Sequence, residues 1–157
     1  MKAVLLTIGK TDINAIAKEI DKYIKRISYY LPFTLETIPD IKKMKKRTEN
    51  LQMQKEGEFI LNKLLPTDYV VLLDEGGMLF GSVEFAQYLE KKRNTIGKRI
   101  VFVIGGPYGF SEAIKARANE KISLSKMTFT HQMVRLVFVE QLYRAMTILN
   151  NEPYHHI

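Results

Sequence analysis

The sequence predicts an α/β fold, a mostly parallel sheet with helices on both faces. Three observations carry this reading. Apolar residues alternate along the chain between a strand period and a helix period. Two runs, Tyr69 to Leu73 and Ile100 to Ile104, are apolar throughout, the pattern of strands covered on both faces. Glycine or proline punctuates the segment ends, at Gly9, Pro32, Pro66 and Gly105. Strands alternating with helices then imply layered α/β packing.

Lys2 to Ile8 is a short apolar run that closes at Gly9, the first strand. Ile13, Ile16, Ala17, Ile20, Tyr23, Ile24, Ile27 and Leu31 recur every three or four residues, an amphipathic helix that Asp12 is placed to cap and Pro32 to stop. Phe33 to Ile38 is a strand with Phe33, Leu35 and Thr37 on one side, closed by Pro39-Asp40. Thr48 to Leu64 is helical, although Gly57 in its middle costs about 1 kcal/mol relative to Ala. Tyr69 to Asp74 is the next strand, after which Glu75-Gly76-Gly77 is expected to turn the chain. Ser82 is placed to cap a helix reaching Thr95, with Glu84 in its first turn and Phe85, Ala86 and Leu89 as its buried stripe. The Ile100 to Ile104 strand breaks at Gly105-Gly106-Pro107-Tyr108-Gly109. Ser111 and Glu112 start a short helix through Ala118, and Lys121 to Leu124 reads as a brief strand. From Gln132 to Asn150 the helix is apolar on more than one face. Its second face is buried either inside the monomer or in a symmetric homodimer.

At 157 residues, 46% of them apolar, the chain suits one domain spanning 1–157. The absence of Cys excludes thiol nucleophiles, Cys-ligated zinc, iron–sulfur clusters and disulfides. No apolar stretch approaches the ~20 residues that span a bilayer, and Met1-Lys2 leads straight into a strand with no secretory h-region, so a cytoplasmic address is the default. A formal charge of +7 favours polyanionic partners. Five cations occupy the six positions 42–47, a solvated loop or a nucleic-acid contact.

In parallel sheets ligands bind beyond the carboxyl ends of the strands, so the segments after Leu73, Ile104 and Ser123 are the ones to inspect. Glycines at 105, 106 and 109 let backbone approach a ligand closely; a tight turn with no ligand is the other reading. The turn matches neither the dinucleotide fingerprint nor a Walker loop. Leu124 to Phe129 mixes hydroxyls with apolar side chains, which suits an adenine nucleoside or a plain loop plugged into the core. His131 is placed to cap or orient the last helix. His155 and His156, adjacent at a chain end, match no zinc pattern, and no metal is expected. The tail around Tyr154 and His155 is either a frayed end or a group that stacks on bases and moves protons.

Taken together, Leu72-Leu73-Asp74, Ile104-Gly105-Gly106-Pro107-x-Gly109, Leu124-Ser125-x-Met127-Thr128, His131, Val134-Arg135, Glu140 to Ala145 and Pro153-Tyr154-His155 resemble the RlmH family of SPOUT-class methyltransferases over the whole chain. The resemblance implies a C-terminal trefoil knot, a homodimer, S-adenosylmethionine as cofactor, and methylation of nitrogen-3 of a pseudouridine in the helix 69 loop of large-subunit ribosomal RNA on assembled ribosomes. It also implies that Leu73, Gly105, Leu124, Ser125, Lys126, Met127, Thr128 and Phe129 contact the cofactor. Tyr154, His155 and Arg135 would lie at the target base. Tyr108 stands where many members carry an acid, and His156 where many carry Arg or Lys. A non-enzymatic ribosome-binding factor is the rival reading of the same basic surface.

Overall fold

A computed structural model describes residues 1–41 and 48–156, so the basic run at 42–47 lies outside the described residues. Five strands, β1 (Lys2–Ile8), β2 (Phe33–Ile38), β3 (Tyr69–Leu79), β4 (Arg99–Ile104) and β5 (Glu120–Ser123), form one sheet in the order β2-β1-β4-β3-β5. Every neighbouring pair is parallel. The helices are α1 (Asn14–Ile27), α2 (Glu49–Lys63), α3 (Ser82–Thr95), α4 (Glu112–Arg117) and α5 (His131–Leu149).

Alternate strand residues point to opposite faces, and each face has its own core. Leu5, Val71, Phe102 and Ile122 pack with Ile20 of α1, Phe85 and Leu89 of α3, and Phe138 and Leu142 of α5. Val4, Leu6, Leu72 and Val103 pack on the other face with Ile60 of α2 and Ile114 of α4. Helices therefore cover both faces, as the continuous apolar runs required. On the first face α5 lies between α1 and α3, with the Phe138 ring 4.9 Å from that of Phe102. That packing accounts for much of the wide apolar stripe of α5, while Met133 stays 39% exposed. Gly57 fits α2 because a Cβ there would run into the Ser111 hydroxyl of the α4 cap.

Three local expectations are corrected. Asp12 does not cap α1: the N-cap is Ile13, without a side-chain bond, and the Asp12 amide instead donates to Gln132 Oε1 at 2.9 Å, which docks this segment onto α5. Ser82 lies inside the first turn of α3 and donates to Gln141 Oε1 at 3.0 Å; Gly81 is the cap residue, and its amide donates to Glu84 at 2.8 Å. Glu75-Gly76-Gly77 does not end β3. The strand resumes pairing with β5 at Met78 and Leu79 after a register break. Glycine is required at 77 because a Cβ would lie 2.5 Å from the Ile122 carbonyl carbon.

Candidate cofactor site at the carboxyl edge of the sheet

The chain leaves β3 toward α3 on one face and β4 toward α4 on the other, which opens a crevice between the two strand ends. A cavity of about 740 Å³ lies there, lined by residues 73–76 at the register break of β3 and by the segments that follow β4 and β5. Short-range chemistry shapes each segment. Within β3, at the break in its pairing with β5, Asp74 Oδ1 accepts from the Gly76 amide at 2.8 Å. After β4, the Gly109 amide donates to Gly106 O at 3.2 Å, with Gly109 at φ +81°, a conformation that favours glycine. A Cβ at Gly106 would collide with the buried Glu56 carboxylate, so the backbone of this turn is pressed against α2. After β5, the Ser123 hydroxyl donates to Ser125 O at 2.9 Å and Ser125 Oγ accepts from the Met127 amide at 2.9 Å. Thr130 then caps α5, accepting from the Met133 amide at 3.2 Å.

The cavity combines apolar walls from Leu73, Ile104, Leu124, Phe129 and Val134 with the carboxylates of Asp74 and Glu75 and glycine-rich backbone at 105–106. Such a site accepts a ligand with a flat apolar part and several hydrogen-bonding edges. Of the residues expected at the cofactor, Leu73, Gly105, Leu124, Ser125, Met127, Thr128 and Phe129 line it. Lys126 does not; its side chain is exposed at the outer turn of the segment. Asp74, Glu75 and His131 also line the cavity although the sequence did not single them out for it. Position beyond a strand end was the available signal for the two carboxylates. His131 is the first residue of α5 rather than its cap.

Tyr154 and His155 lie elsewhere in the chain. The Tyr154 ring packs edge-on against Tyr143, centroids 4.7 Å apart, and its hydroxyl donates to Glu140 Oε1 at 3.1 Å. Glu140 also pairs with Arg144, whose other arm reaches His155 Nδ1 at 3.2 Å. Burial, Tyr23 and Glu140 together push the Tyr154 phenol well above its ordinary range, so it keeps its proton. Since guanidinium only donates, His155 Nδ1 is the acceptor and the proton of that tautomer sits on Nε2. Tyr143 lies nine positions along α5 from Val134 at the cavity, about 14 Å along the axis.

Arg135, which the family likeness would put at the target base, lies on the buried side of α5. It is 1% exposed and lines no part of this cavity. Its guanidinium donates to Ile8 O at 2.7 Å, Gly9 O at 3.0 Å and Thr11 Oγ1 at 3.0 Å, so it fixes the carboxyl end of β1. An apolar position on the inward face of α5 leaves a long cation no route to solvent.

Comparison with known proteins gives one consistent result. Residues 1–155 match the family described as "Predicted SPOUT methyltransferase". The chain is 61% identical over 156 residues to ribosomal RNA large subunit methyltransferase H of Parabacteroides distasonis, covering 99% of both chains. It is 58% identical over 156 residues to the protein of the same name from Flavobacterium johnsoniae, again covering 99% of each. Among solved structures, a probable methylase family protein from Haemophilus influenzae superposes with a TM-score of 0.50 at 14% identity, covering 95% of this chain and 66% of that one, a likeness of fold. The chain belongs to the SPOUT methyltransferase family, within the group that carries the large-subunit methyltransferase H name.

Proposed function

We propose that this chain, acting as one unit over residues 1–157, is an S-adenosylmethionine-dependent methyltransferase of large-subunit ribosomal RNA. Its target would be nitrogen-3 of a pseudouridine in the helix 69 loop, modified on assembled ribosomes in the cytoplasm. The observation that carries this is the convergence of three strand-end segments on one cavity, in a chain so similar over its whole length to proteins named as ribosomal RNA methyltransferases. The net charge of +7 suits the substrate. Among the described residues no helix is long and apolar enough to cross a membrane, and no group of three His, Asp or Glu could hold a metal ion.

The cavity fits the cofactor. Leu124, Phe129 and Val134 offer apolar surface for an adenine, and Asp74 and Glu75 offer acceptors for hydroxyl or ammonium groups. Glycine at 105 and 106 lets the backbone itself form this wall, since a Cβ would meet Phe110 at 3.0 Å at the first position and Glu56 at the second. The cofactor supplies an electrophilic methyl group on a sulfonium. The chain's part is to align the base nitrogen with that group, and positioning of two bound reactants is worth about 7–11 kcal/mol. Proton handling adds less, typically ~10²–10⁴-fold. With Tyr154 kept protonated and His155 presenting Nε2–H, the tail is suited to stabilising an anionic base by donation.

Within one chain the tail is held away from the cavity by its contacts with Glu140, Tyr143 and Arg144. For both to serve one reaction, a symmetric second copy would bring its tail to this cavity. The partly exposed Met133 on α5 and the 79% exposed Met127 beside the cavity offer apolar surface for that homodimer. The trefoil knot implied by the family likeness would thread α5 through these same segments.

Calorimetry with S-adenosylmethionine and its demethylated product tests the cofactor, with micromolar binding of both as the expected result. Mass spectrometry of ribosomal RNA from cells with and without the gene tests the reaction, with loss of one methylpseudouridine expected. Binding to ribosomes without cofactor affinity or a lost methyl group would establish the non-enzymatic binding factor instead.

A further inference from the structure

We propose that a second cavity, of about 450 Å³ at the carboxyl ends of β1 and β2, seats an RNA nucleotide one or two positions from the methylated one. This rests on the ribosomal RNA reading and deepens it.

The sheet topology makes a second crevice at this place. The chain leaves β1 toward α1 on one face, and α2, which follows β2, packs on the other, the same divergence that opens the first cavity between β3 and β4. The volume falls within the range of small-ligand sites, about 300–1,000 Å³. His131 lines both cavities.

Their relation is fixed by α5. Gln132, 6% exposed, accepts from the Asp12 amide at 2.9 Å and donates to Lys10 O at 3.2 Å. Arg135 holds Ile8 O and Gly9 O from below. Two buried polar side chains in the first turns of α5 thus hold the segment that forms the floor of the second cavity, while His131 and Val134 of the same turns line the first. The Arg135 guanidinium has no carboxylate partner within ion-pair distance among the described residues, and its Nε lacks a hydrogen-bond partner there. A buried cation lies under the floor.

The lining chemistry is that of a ribonucleotide site. Lys10 offers a cation for phosphate, and Asp12 and Asp40 accept from a ribose 2′-hydroxyl or an exocyclic amine. Ile8 and Pro39 give the base an apolar wall. A base that is modified at a ring nitrogen must be splayed from its stack, which leaves its neighbours unstacked, and a pocket for one neighbour offsets that cost.

The test places a photoreactive benzophenone amino acid at Thr37, a half-buried residue of the cavity, and irradiates the full chain bound to ribosomes. Crosslinks are mapped on the RNA, and the methylated residue is mapped in the same preparation with unmodified chain and labelled donor. A crosslink one or two nucleotides from the methylated residue is expected. Crosslinks to the methylated residue itself, to distant RNA, to protein, or to nothing overturn the inference while methylation stands. Failure of the unmodified chain to methylate RNA overturns the underlying reading, and the inference with it. Independently, the Lys10→Ala, Asp40→Ala double variant should raise KM for ribosomes about tenfold while cofactor affinity by calorimetry stays within about twofold. An unchanged KM overturns the inference.

Discussion

The Tyr154 hydroxyl donates to Glu140 Oε1 at 3.1 Å, so a carboxylate in the middle of α5 sets the position of a side chain fourteen residues later. Glu140 also binds Arg144, which stacks its guanidinium 4.8 Å from the Tyr154 ring centroid and reaches His155. Neutralising that carboxylate weakens every one of these contacts. Glu140→Gln is expected to lower methyl transfer to ribosomes by about 10–100-fold, to leave S-adenosylmethionine affinity unchanged, and to speed amide exchange at 151–156. Exchange as slow as in the parent would show that Glu140 does not hold the tail.

The Asp68–Arg99 pair predicts a pH dependence. The Asp68 side chain is fully covered, which alone would push its carboxyl up. Arg99 donates to both carboxylate oxygens, at 2.8 and 2.6 Å, and the Leu65 amide donates at 2.7 Å; these outweigh burial and hold the carboxyl below its ordinary range. A depressed folded-state pKa gives stability that is complete above the unfolded value, about 4, and is lost as pH falls through the folded one. Arg99→Met should cost about 2–3 kcal/mol at neutral pH, with the difference from the parent shrinking below pH ~4. Denaturant titrations at several pH values measure this, and a difference independent of pH would remove the ion pair as its cause.

Close packing at Gly77 predicts a linked loss of stability and binding. An added Cβ would lie 2.5–2.7 Å from the backbone of Ile122, so β3 and β5 must part. Gly77→Ala is expected to destabilise by about 1–3 kcal/mol and to weaken the cofactor about tenfold, because Asp74 and Glu75 hang from the same stretch. Thermal unfolding and calorimetry read the two effects; full affinity in a destabilised variant would separate the strand contact from the cavity.

The basic run predicts a salt effect. Lys42, Lys43, Lys45 and Lys46, if each meets a phosphate, contribute about 0.7 apiece to the slope of log affinity against log salt on single-stranded RNA. Replacing all four with Ala should flatten the slope by up to about 3. An unaltered slope would move the RNA contact to other cations, such as Lys91, Lys92 and Arg93 on α3.

Strand and helix positions were legible because each core face imposes its own period. Leu5 and Leu6 fall on opposite faces, and the fully apolar run at Val70 to Leu72 announces cover on both sides. The three cavity segments followed from the same reading, since parallel topology places them at one edge. Less legible was what long-range contact decides. Asp12 has the chemistry of a cap, but its amide is taken by Gln132, 120 residues away. Arg135, placed near the target base by the family likeness, is buried where β1 supplies carbonyls to its guanidinium. The Glu75-Gly76-Gly77 segment carries turn residues, yet pairing with β5 carries the strand past them.

Ile122 pairs with both Leu73 and Met78, so the four residues between them form an excursion whose two feet rest on one point of the neighbouring strand. Lengthening or shortening such an excursion leaves the rest of the sheet in alignment. The rim that carries Asp74 and Glu75, and with it the ligand grip, can therefore change in length without rebuilding the scaffold beneath.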